Sequence, residues 1–341
     1  MRVLCAMSGG VDSSVAAALL AEAGHDVHGV TMRLWGGESD QGCCSVADVD
    51  DARRVADHLG LEHHVFNFGP DFDQHVVEPY VRAHAEGRTP NPCIECNRHL
   101  KFDRLLERAV VLGFDVVATG HHARVVRRPD GSWRIGRGAD RAKDQSYVLH
   151  MLDQAALART VLPVGDLTKA EVRRRAEALG LRTAAKPDSQ DVCFISSRAG
   201  RAGFLGDRLP LTPGRVVDGS GRPVGTVDAV ELVTVGQRRG LGLRGQHEPR
   251  FVTAVDVGTA TVTVGRRDDV LVGEQRLTDL VWADAPVDGQ VLVQCSAHGE
   301  VREGRLDGSV LHWRDPQPRV APGQSVAFYD GDEVLGGALV A

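Results

Sequence analysis

Hydrophobic and polar positions form two different patterns along the chain. Up to about residue 120, short apolar runs alternate with longer segments of helical spacing. This alternation is typical of a parallel sheet that is covered by helices on both faces. Past about residue 200, short β-branched runs are separated by Gly and Asp at regular intervals, which predicts an all-β region with a break near residue 270.

These patterns predict an α/β fold in which an N-terminal parallel sheet precedes two small β-rich, barrel-like domains. The expected domain ranges are 1–203, 204–270 and 271–341. In the first domain, strands are predicted at residues 3–6, 26–34, 61–68 and 115–122. A hairpin is predicted around Asp130-Gly131, and a helix is predicted after a capping box formed by Thr168 and Glu171.

The first strand leads into a polar glycine loop, Met7–Ser14, which is followed by a helix. A helix N-terminus presents free N–H groups and a positive dipole end to an anion, and Gly9 and Gly10 allow the backbone to approach it closely. Asp12 is a candidate Mg²⁺ ligand if that anion is a polyphosphate. The Walker and Rossmann spacings are both absent. The S-G-G-x-D-S pattern is similar instead to the pyrophosphate loop of ATP pyrophosphatases.

Ligands of open parallel sheets bind at the carboxyl ends of the strands. This rule places three segments around one crevice: the glycine loop, the second strand near Met32, and Gly120-His121 after the fourth strand. Two prolines and a glycine predict a loop at residues 87–97 with a helix after it. Cys96 is therefore expected close to a helix N-terminus, where the pKa of a thiol is lowered.

Three of the seven cysteines come from polar segments on the carboxyl side of the predicted sheet, namely Cys93, Cys96 and Cys193. A zinc site would need a fourth ligand, for which His99 and His121 are candidates. A second interpretation is an iron–sulfur cluster held by the three cysteines, with an open position on one iron. A third interpretation is redox sulfur chemistry, in which one cysteine carries a persulfide and another resolves it by disulfide exchange. Spacing alone does not separate them. The remaining cysteines are expected to be buried or unreactive: Cys5, Cys43, Cys44 and Cys295.

Composition and charge narrow the class of protein. The 341 residues carry a formal net charge of −6, which argues against indiscriminate nucleic-acid binding, although basic residues cluster locally at 124–143 and 198–215. No apolar run approaches the ~20 residues of a membrane span, and the chain opens with a strand rather than a signal peptide. We therefore expect a cytoplasmic protein with no membrane association.

Ten short motifs together resemble bacterial tRNA-specific 2-thiouridylases, a family of the ATP pyrophosphatase (PP-loop) superfamily. In chain order they are SGGVDS (8–13), GCCS (42–45), TPNP (89–92), CN (96–97), KF (101–102), ATGH (118–121), KDQSY (143–147), KPDS (186–189), CF (193–194) and GQRRGLG (236–242). The resemblance covers nearly the whole chain, strongly to about residue 255 and weakly beyond it. It implies an adenine nucleotide alpha hydrolase-like fold for the N-terminal domain.

The resemblance also implies roles for individual residues. Cys96 would be the nucleophile or resolving cysteine, and Cys193 would carry the persulfide. ATP would contact Ala6, Met7, Ser8, Gly9, Gly10, Val11, Asp12, Ser13, Met32 and Gly120. The tRNA would contact Asn91, Pro92, Cys93, His121, Lys143, Asp144, Gln145 and Gln324.

The function implied by the resemblance is that of an ATP-dependent tRNA-uridine 2-sulfurtransferase. It would adenylate the C2 oxygen of the wobble uridine in the anticodon arm and replace it with sulfur, giving 2-thiouridine, AMP and pyrophosphate. The implied cofactors are ATP and Mg²⁺, with Asp12 as metal ligand. The implied partners are tRNA and a cysteine desulfurase or sulfur-relay protein, and the chain is expected to be a monomer.

The sequence departs from the family at two places. Many relatives have Asn-Pro-Asp where this chain has Asn91-Pro92-Cys93, so a thiol replaces a carboxylate and makes a three-cysteine cluster conceivable. A basic–aromatic pair found late in relatives is not preserved at residues 296–298. Two other functions stay open: a different ATP-dependent synthetase with the same loop, and a nucleic-acid-binding or metal-storage module with a degenerate ATP site.

Overall fold

The computed structural model describes residues 1–34, 46–188, 192–195, 200–243 and 248–341. The strands in these ranges are β1 Arg2–Ala6, β2 Asp26–Arg33, β3 Glu62–Asn67, β4 Val116–Ala118, β5 Ala123–Arg127, β6 Trp133–Arg137, β7 Thr160–Val161, β8 Gly214–Asp218, β9 Pro223–Val227, β10 Phe251–Asp256, β11 Thr261–Gly265, β12 Leu271–Trp282, β13 Gly289–Gln294, β14 Arg302–Asp307, β15 Val310–Pro318, β16 Ser325–Asp330 and β17 Glu333–Val340.

The α-helices in the same ranges are α1 Val11–Glu22, α2 Val46–Leu59, α3 Gly69–Phe72, α4 Glu78–Ala85, α5 Pro92–Glu95, α6 Leu105–Val111, α7 Gln154–Leu157, α8 Lys169–Ala178 and α9 Gly200–Gly206. Two π-helical segments, Asp73–Val77 and Cys96–Arg104, connect α3 to α4 and α5 to α6. Short 3₁₀ turns occur at Ser146–Leu149, Val230–Leu232 and Asp268–Val270. Within the described ranges, no helix has both the length and the apolar character needed to cross a membrane.

The N-terminal sheet is parallel, with strand order β3-β2-β1-β4-β7. Helices α1, α2 and α8 cover one face, where Val15, Ala56 and Val172 are buried in a common core. The helical segments between β3 and β4 cover the other face, where Phe72 and Leu100 belong to a second core. Since both faces are covered, β1 is an almost continuous apolar strand. The predicted α/β class, with helices on both faces of the sheet, is confirmed.

The predicted loop at residues 87–97 is wrong from Pro92 onwards, because the chain there is helical. Helix α5 begins at Pro92, and the π-helical segment continues it from Cys96. Asn91 is the N-cap, and its Oδ1 accepts a hydrogen bond from Cys93 N at 3.0 Å. Proline suits the first helical position because the N–H it lacks would have no partner there. Cys96 therefore lies one turn inside a helix.

Two further local predictions can be compared with the structure. The capping box is confirmed, since Glu171 N donates to Thr168 Oγ1 at 3.3 Å and Thr168 N donates to Glu171 Oε2 at 2.7 Å. The fourth strand is shorter than predicted, because β4 ends at Ala118 and the chain then leaves the sheet.

The C-terminal strands form a closed six-stranded barrel, β12-β15-β14-β13-β16-β17, in which β12 also pairs with β17. The predicted hairpin is present as β5 and β6, and it extends this barrel sheet through the pairing of β6 with β17. A smaller sheet of order β10-β11-β8-β9 lies between the N-terminal and barrel sequences. Helix α9 spans the predicted boundary at residue 203, and the division into three domains stays a prediction.

Candidate active site

A cavity of about 370 Å³ opens at the carboxyl ends of β1, β2 and β4. The glycine loop and the three thiols singled out in the sequence line this same cavity. The predicted site residues in its wall are Ala6, Met7, Ser8, Gly10, Val11, Asp12, Ser13, Met32, Pro92, Cys93, Cys96, Gly120, His121, Lys143, Asp144, Gln145 and Cys193. The predicted site residues outside its wall are Gly9, Asn91 and Gln324.

Hydroxyl groups hold the glycine loop in place. Ser8 N donates to Ser13 Oγ at 3.2 Å, and Ser14 Oγ donates to Gly10 O at 2.7 Å. Thr31 Oγ1, on β2, donates to Met7 O at 2.7 Å. The loop is therefore tied both to the first turn of α1 and to the neighbouring strand. It lies at the N-terminus of a 12-residue helix, where the dipole favours an anion.

Two glycines permit close backbone packing around this loop. Gly9 has a φ of 70°, and a Cβ atom there would overlap the backbone of Asp48 at the start of α2. A Cβ atom on Gly120 would lie 2.5 Å from Ser13 N and 2.7 Å from Asp12 C. The segment after β4 thus packs directly against the glycine loop, and any side chain larger than hydrogen would separate the two.

Asp12 is held by two positively polarised groups. Lys169 Nζ lies 2.8 Å from Oδ1 and 2.6 Å from Oδ2 of Asp12, and His122 Nε2 lies 3.0 Å from Oδ1. Burial alone would raise the pKa of Asp12, but the hydrogen bonds from His122 and Lys169 outweigh it and hold that pKa below its usual value. The carboxylate is therefore ionised at neutral pH and available to a cation.

Asp188 is the centre of a second cluster of charges beside Asp12. Lys143 Nζ lies 2.8 Å from its carboxylate, Lys169 Nζ lies 2.9 Å from it, and Arg173 lies 2.7 Å from it. Partial burial would raise the pKa of Asp188, but hydrogen bonds from Lys143 and Lys169 lower it far below its usual value. Three cations thus converge on one carboxylate at the cavity wall, which leaves an excess of positive charge for an anionic ligand.

Lys186 ties the glycine loop to α2. Its Nζ donates to Gly9 O at 3.0 Å and pairs with Asp48 at 2.6 Å and Asp51 at 2.8 Å. Burial would lower the pKa of Lys186, but the hydrogen bonds to Asp48 and Asp51 raise it above its usual value. The ammonium group stays charged and keeps the loop against the helix.

The three candidate cysteines are all reduced thiols. Cys96 is buried, whereas Cys93 and Cys193 are half-buried. Phe194, beside Cys193, packs in an aromatic cluster with ring-centroid distances of 5.5 Å to Phe72, 5.6 Å to Tyr80 and 5.0 Å to Phe204. These ring contacts anchor Phe194, and with it the neighbouring Cys193, against α3, α4 and α9.

The other cysteines do not share this setting. Cys5 is fully buried in β1, and burial raises its pKa to about 12, which confirms the sequence expectation. Cys295 lies outside the cavity, and burial raises its pKa to about 11. Both thiols are therefore protonated and unreactive at neutral pH. The predictions for Cys43 and Cys44 lie outside the described residues.

The segment 143–145 has one buried residue, Asp144, between two exposed ones. Asp144 is buried and pairs with Arg137 at 2.8 Å, so this carboxylate and one of the clustered arginines are used inside the protein. Gln145 Oε1 accepts a hydrogen bond from His122 N at 2.9 Å. Lys143 and Gln145 are both exposed, and Lys143 is the charged one of the two, with its Nζ 2.8 Å from Asp188.

His121 and Gln324 also have defined internal partners. His121 Nδ1 lies 2.7 Å from Thr119 Oγ1, and burial, together with nearby Lys101, holds the pKa of His121 well below its usual value. The imidazole is therefore neutral at pH 7. Gln324 Nε2, in the barrel, donates to Thr89 O at 2.6 Å, two residues before the helix cap at Asn91.

Comparison with known proteins gives matches along the whole chain. Three family models match in succession: the "tRNA methyl transferase HUP domain" at residues 1–197, the "tRNA methyl transferase PRC-barrel domain" at 202–266 and the "aminomethyltransferase beta-barrel domain" at 288–340. The "tRNA-specific 2-thiouridylase MnmA" of Kineococcus radiotolerans is 49% identical over 359 residues, covering 100% of this chain and 98% of the relative. The protein of the same name from Roseiflexus sp. is 44% identical, covering 100% and 99%.

The chain belongs to the tRNA-specific 2-thiouridylase family. The resemblance inferred from the ten motifs is thereby confirmed. Among solved structures, the similarity is lower. A 4-thiouridine synthetase–RNA complex with bound ATP has 17% identity and a TM-score of 0.38, covering 57% of this chain and 44% of that one.

Sequence reasoning assigned no site role to five residues of the cavity wall, although two of them, Lys101 and Asp188, lie within the KF and KPDS motifs; the other three are His122, Lys169 and His298. Lys169 carried a usable signal, because it is the first residue of α8. A cation at a helix N-terminus is opposed by the helix dipole, so a lysine there indicates a compensating anion nearby. Asp12 and Asp188 are those anions in the structure.

Proposed function

We propose that this protein is an ATP-dependent tRNA-uridine 2-sulfurtransferase that acts on the C2 position of the wobble uridine. The observation that carries the proposal is a single cavity lined by the glycine loop at one side and by Cys93, Cys96 and Cys193 at the other. A phosphate-binding loop and sulfur-transferring cysteines in one cavity fit a reaction that first activates a base and then replaces its oxygen with sulfur. The curated relatives that span the whole chain support this assignment.

In the first half-reaction, the C2 oxygen of uridine attacks the α-phosphorus of ATP, and pyrophosphate leaves. The N-terminus of α1 and the ammonium group of Lys169 stabilise the negative charge on the phosphates. Lys169 is shared between Asp12 and Asp188 in the structure, so it has an anionic partner to exchange for a phosphate. The product is an adenylated base with AMP as leaving group.

Asp12 is suited to bind Mg²⁺, because its carboxylate is ionised and lines the cavity. Both oxygens contact Lys169, so a metal ion at Asp12 requires Lys169 to turn towards the phosphates. When bound, Mg²⁺ neutralises charge on the pyrophosphate. In this exchange Lys169 leaves Asp12 for a phosphate, and Asp12 becomes free to bind the metal ion.

In the second half-reaction, the terminal sulfur of a Cys193 persulfide attacks C2 and AMP leaves. The thiolate of Cys96 then attacks the inner sulfur of Cys193, which breaks the sulfur–sulfur bond and releases 2-thiouridine. The protein is left with a Cys96–Cys193 disulfide, which an external thiol reductant converts back to two thiols. The same attack by Cys96 before base thiolation would release hydrosulfide as the nucleophile instead.

The remaining predicted residues belong to the tRNA side of this proposal. A base of the anticodon loop has to leave its stack to enter the cavity. Lys143 is an exposed cation beside the cavity, and His121 is a neutral imidazole within its wall. We assign Asn91, Asp144, Gln145 and Gln324 to positioning these groups, since their side chains are bonded within the protein. The chain acts as a monomer that receives sulfur from a cysteine desulfurase or sulfur-relay protein.

The third thiol favours one alternative mechanism. Cys93, Cys96 and Cys193 share the cavity, so the residues present also fit a cluster ligated by three cysteines. When bound, such a cluster offers an open iron position to sulfide. Iron content and visible absorption after anaerobic purification separate the two mechanisms, because iron-free enzyme that thiolates tRNA excludes the cluster.

The experiment that tests the function measures pyrophosphate release and 2-thiouridine formation with unmodified tRNA, ATP, a persulfide donor and reductant. Wild-type protein is expected to turn over. Cys193→Ser is expected to release at most one equivalent of pyrophosphate and to form no 2-thiouridine, while the matched control Cys295→Ser behaves as wild type. Thiolation by Cys193→Ser at the wild-type rate would refute the persulfide proposal. Pyrophosphate release that does not depend on tRNA would favour another synthetase.

A further inference from the structure

A histidine–carboxylate cluster lies on β2 and the edge strand β3 of the N-terminal sheet, outside the wall of the cavity. His28 is near the beginning of β2, and Glu62 and His64 are near the beginning of the neighbouring edge strand β3. The parallel register pairs His28 with Glu62 and Val30 with His64. Since side chains alternate along a strand, all three side chains project from the same face. One ligand atom from each residue lies within 4.8 Å of the other two.

The distances between these atoms match those of ligands around a single tetrahedral ion. Glu62 Oε2 lies 3.2 Å from His28 Nδ1 and 3.8 Å from His64 Nε2. Nitrogen and oxygen ligands bound to zinc at about 2.0–2.2 Å are separated from one another by about 3.3 Å in tetrahedral geometry. The two histidine nitrogens lie within 4.8 Å of each other, so rotations of the exposed Glu62 and His64 side chains are needed to bring all three atoms to that spacing.

The surroundings of His28 indicate which ring nitrogen carries the proton. Its Nε2 lies 3.4 Å from Asp26 Oδ1, and Asp26 Oδ2 in turn lies 3.4 Å from Arg2 Nε. A carboxylate beside the outer ring nitrogen holds the proton there, which is the usual arrangement for histidines that ligate metals. The lone pair of His28 then lies on Nδ1, towards Glu62.

The environment of His28 Nδ1 agrees with this assignment. This atom is buried and forms no hydrogen bond with any described residue. A lone pair and a carboxylate oxygen 3.2 Å apart repel each other unless a cation lies between them. The ring itself is fixed by edge contact with Phe114 at 5.0 Å and by stacking on His64 at 5.8 Å. The ligands are therefore preorganised on two paired strands.

We propose that His28 Nδ1, the Glu62 carboxylate and His64 Nε2 form a Zn²⁺ site with a fourth position open to solvent. Two imidazoles and one carboxylate are ligands that zinc favours, whereas Mg²⁺ and Ca²⁺ favour sets made only of oxygen atoms. The ion joins edge strand β3 to β2 and stabilises that edge of the sheet. None of the three ligands lines the cavity of the candidate active site, so this proposal does not depend on the proposed function.

Zinc binding to the full-length, chelator-treated protein tests the site by isothermal titration calorimetry. Thiols are strong zinc ligands, so every variant is made in a background in which the three cavity thiols are replaced: Cys93→Ser, Cys96→Ser and Cys193→Ser. This background is expected to bind one Zn²⁺ and to unfold at a higher temperature with zinc than without it. His25→Ala, which removes a histidine outside the cluster, is the matched control and should bind the same single ion.

His64→Ala and Glu62→Gln each remove one ligand from a half-exposed or exposed position, so the fold should be retained. Asp26→Asn weakens only the orienting partner, for which a loss of about 10–100-fold in zinc affinity is expected. Each ligand variant should lose more than Asp26→Asn and should show no thermal shift with zinc. The proposal is overturned if the background binds no zinc, or if His64→Ala and Glu62→Gln bind it as tightly as His25→Ala.

Discussion

Replacing Gly120 with alanine tests whether the segment after β4 supports the glycine loop. The added Cβ atom would lie 2.5 Å from Ser13 N, which is about 0.9 Å shorter than the 3.4 Å at which ordinary van der Waals contact begins. The atoms that it meets are backbone, so no side-chain rotation relieves the overlap. Overpacking of this kind costs roughly 1–3 kcal/mol of stability. A displacement of about 1 Å in a catalytic loop costs about 100-fold in rate.

The assay for Gly120→Ala is tRNA-dependent pyrophosphate release over a range of ATP concentrations, together with urea unfolding. We expect kcat/KM for ATP to fall about 100-fold. Gly273→Ala is the matched control, because a Cβ atom there meets nothing within 4 Å. Its kcat/KM should equal that of wild type. If Gly120→Ala retains activity within threefold of Gly273→Ala, the segment after β4 does not set the position of the loop.

Two further predictions concern the charges beside Asp12. Lys169→Met removes a charge-assisted hydrogen bond worth about 1.5–3 kcal/mol, so ATP-dependent pyrophosphate release should fall about 10–100-fold. Lys169→Arg keeps the positive charge and should restore part of the activity. Unchanged kinetics in Lys169→Met would argue against a role for Lys169 in binding phosphate. Asp188 has a lowered pKa because bonds from Lys143 and Lys169 outweigh its partial burial. The ionised carboxylate of Asp188 therefore stabilises the folded protein above the pKa of an unfolded aspartate, about 3.9. This stabilisation is lost as the pH falls through the lower pKa that Asp188 has in the folded protein. In urea titrations, the difference in the free energy of unfolding between wild type and Asp188→Asn should be largest near pH 7 and should shrink below about pH 4. A difference that stays constant with pH would contradict this prediction.

The error at residues 92–97 shows how local signals compete. Two prolines in a short stretch favour a loop, whereas asparagine followed by proline is also a helix start with an N-cap and an N1 proline. The structure contains the second solution, with Asn91 capping α5. Sequence spacing did not distinguish them, because the apolar residues that α5 buries, such as Ile94, find their partners in other segments of the chain.

The hairpin β5–β6 shows a limit of a different kind. Its strands and its turn were predicted from Asp130-Gly131, and both are present. Its attachment to the barrel rests on the pairing of Gly136 with Glu333, nearly two hundred residues away. Short-range patterns contain no information about such a pairing, because strand propensity is satisfied equally by many partner strands.

The sequence by itself determined the α/β order of the first domain, the glycine loop, the motifs that identify the family, and the three cysteines. These features depend on patterns of a few residues, such as side-chain periodicity and helix capping, which act locally. Only the tertiary structure decided that Lys169 and Asp188 meet Asp12, and that the glycine loop shares a cavity with Cys96 and Cys193. It likewise decided that His28 faces Glu62 and His64. Such contacts follow from the order and register of paired strands, which bring distant residues together through packing of the whole sheet.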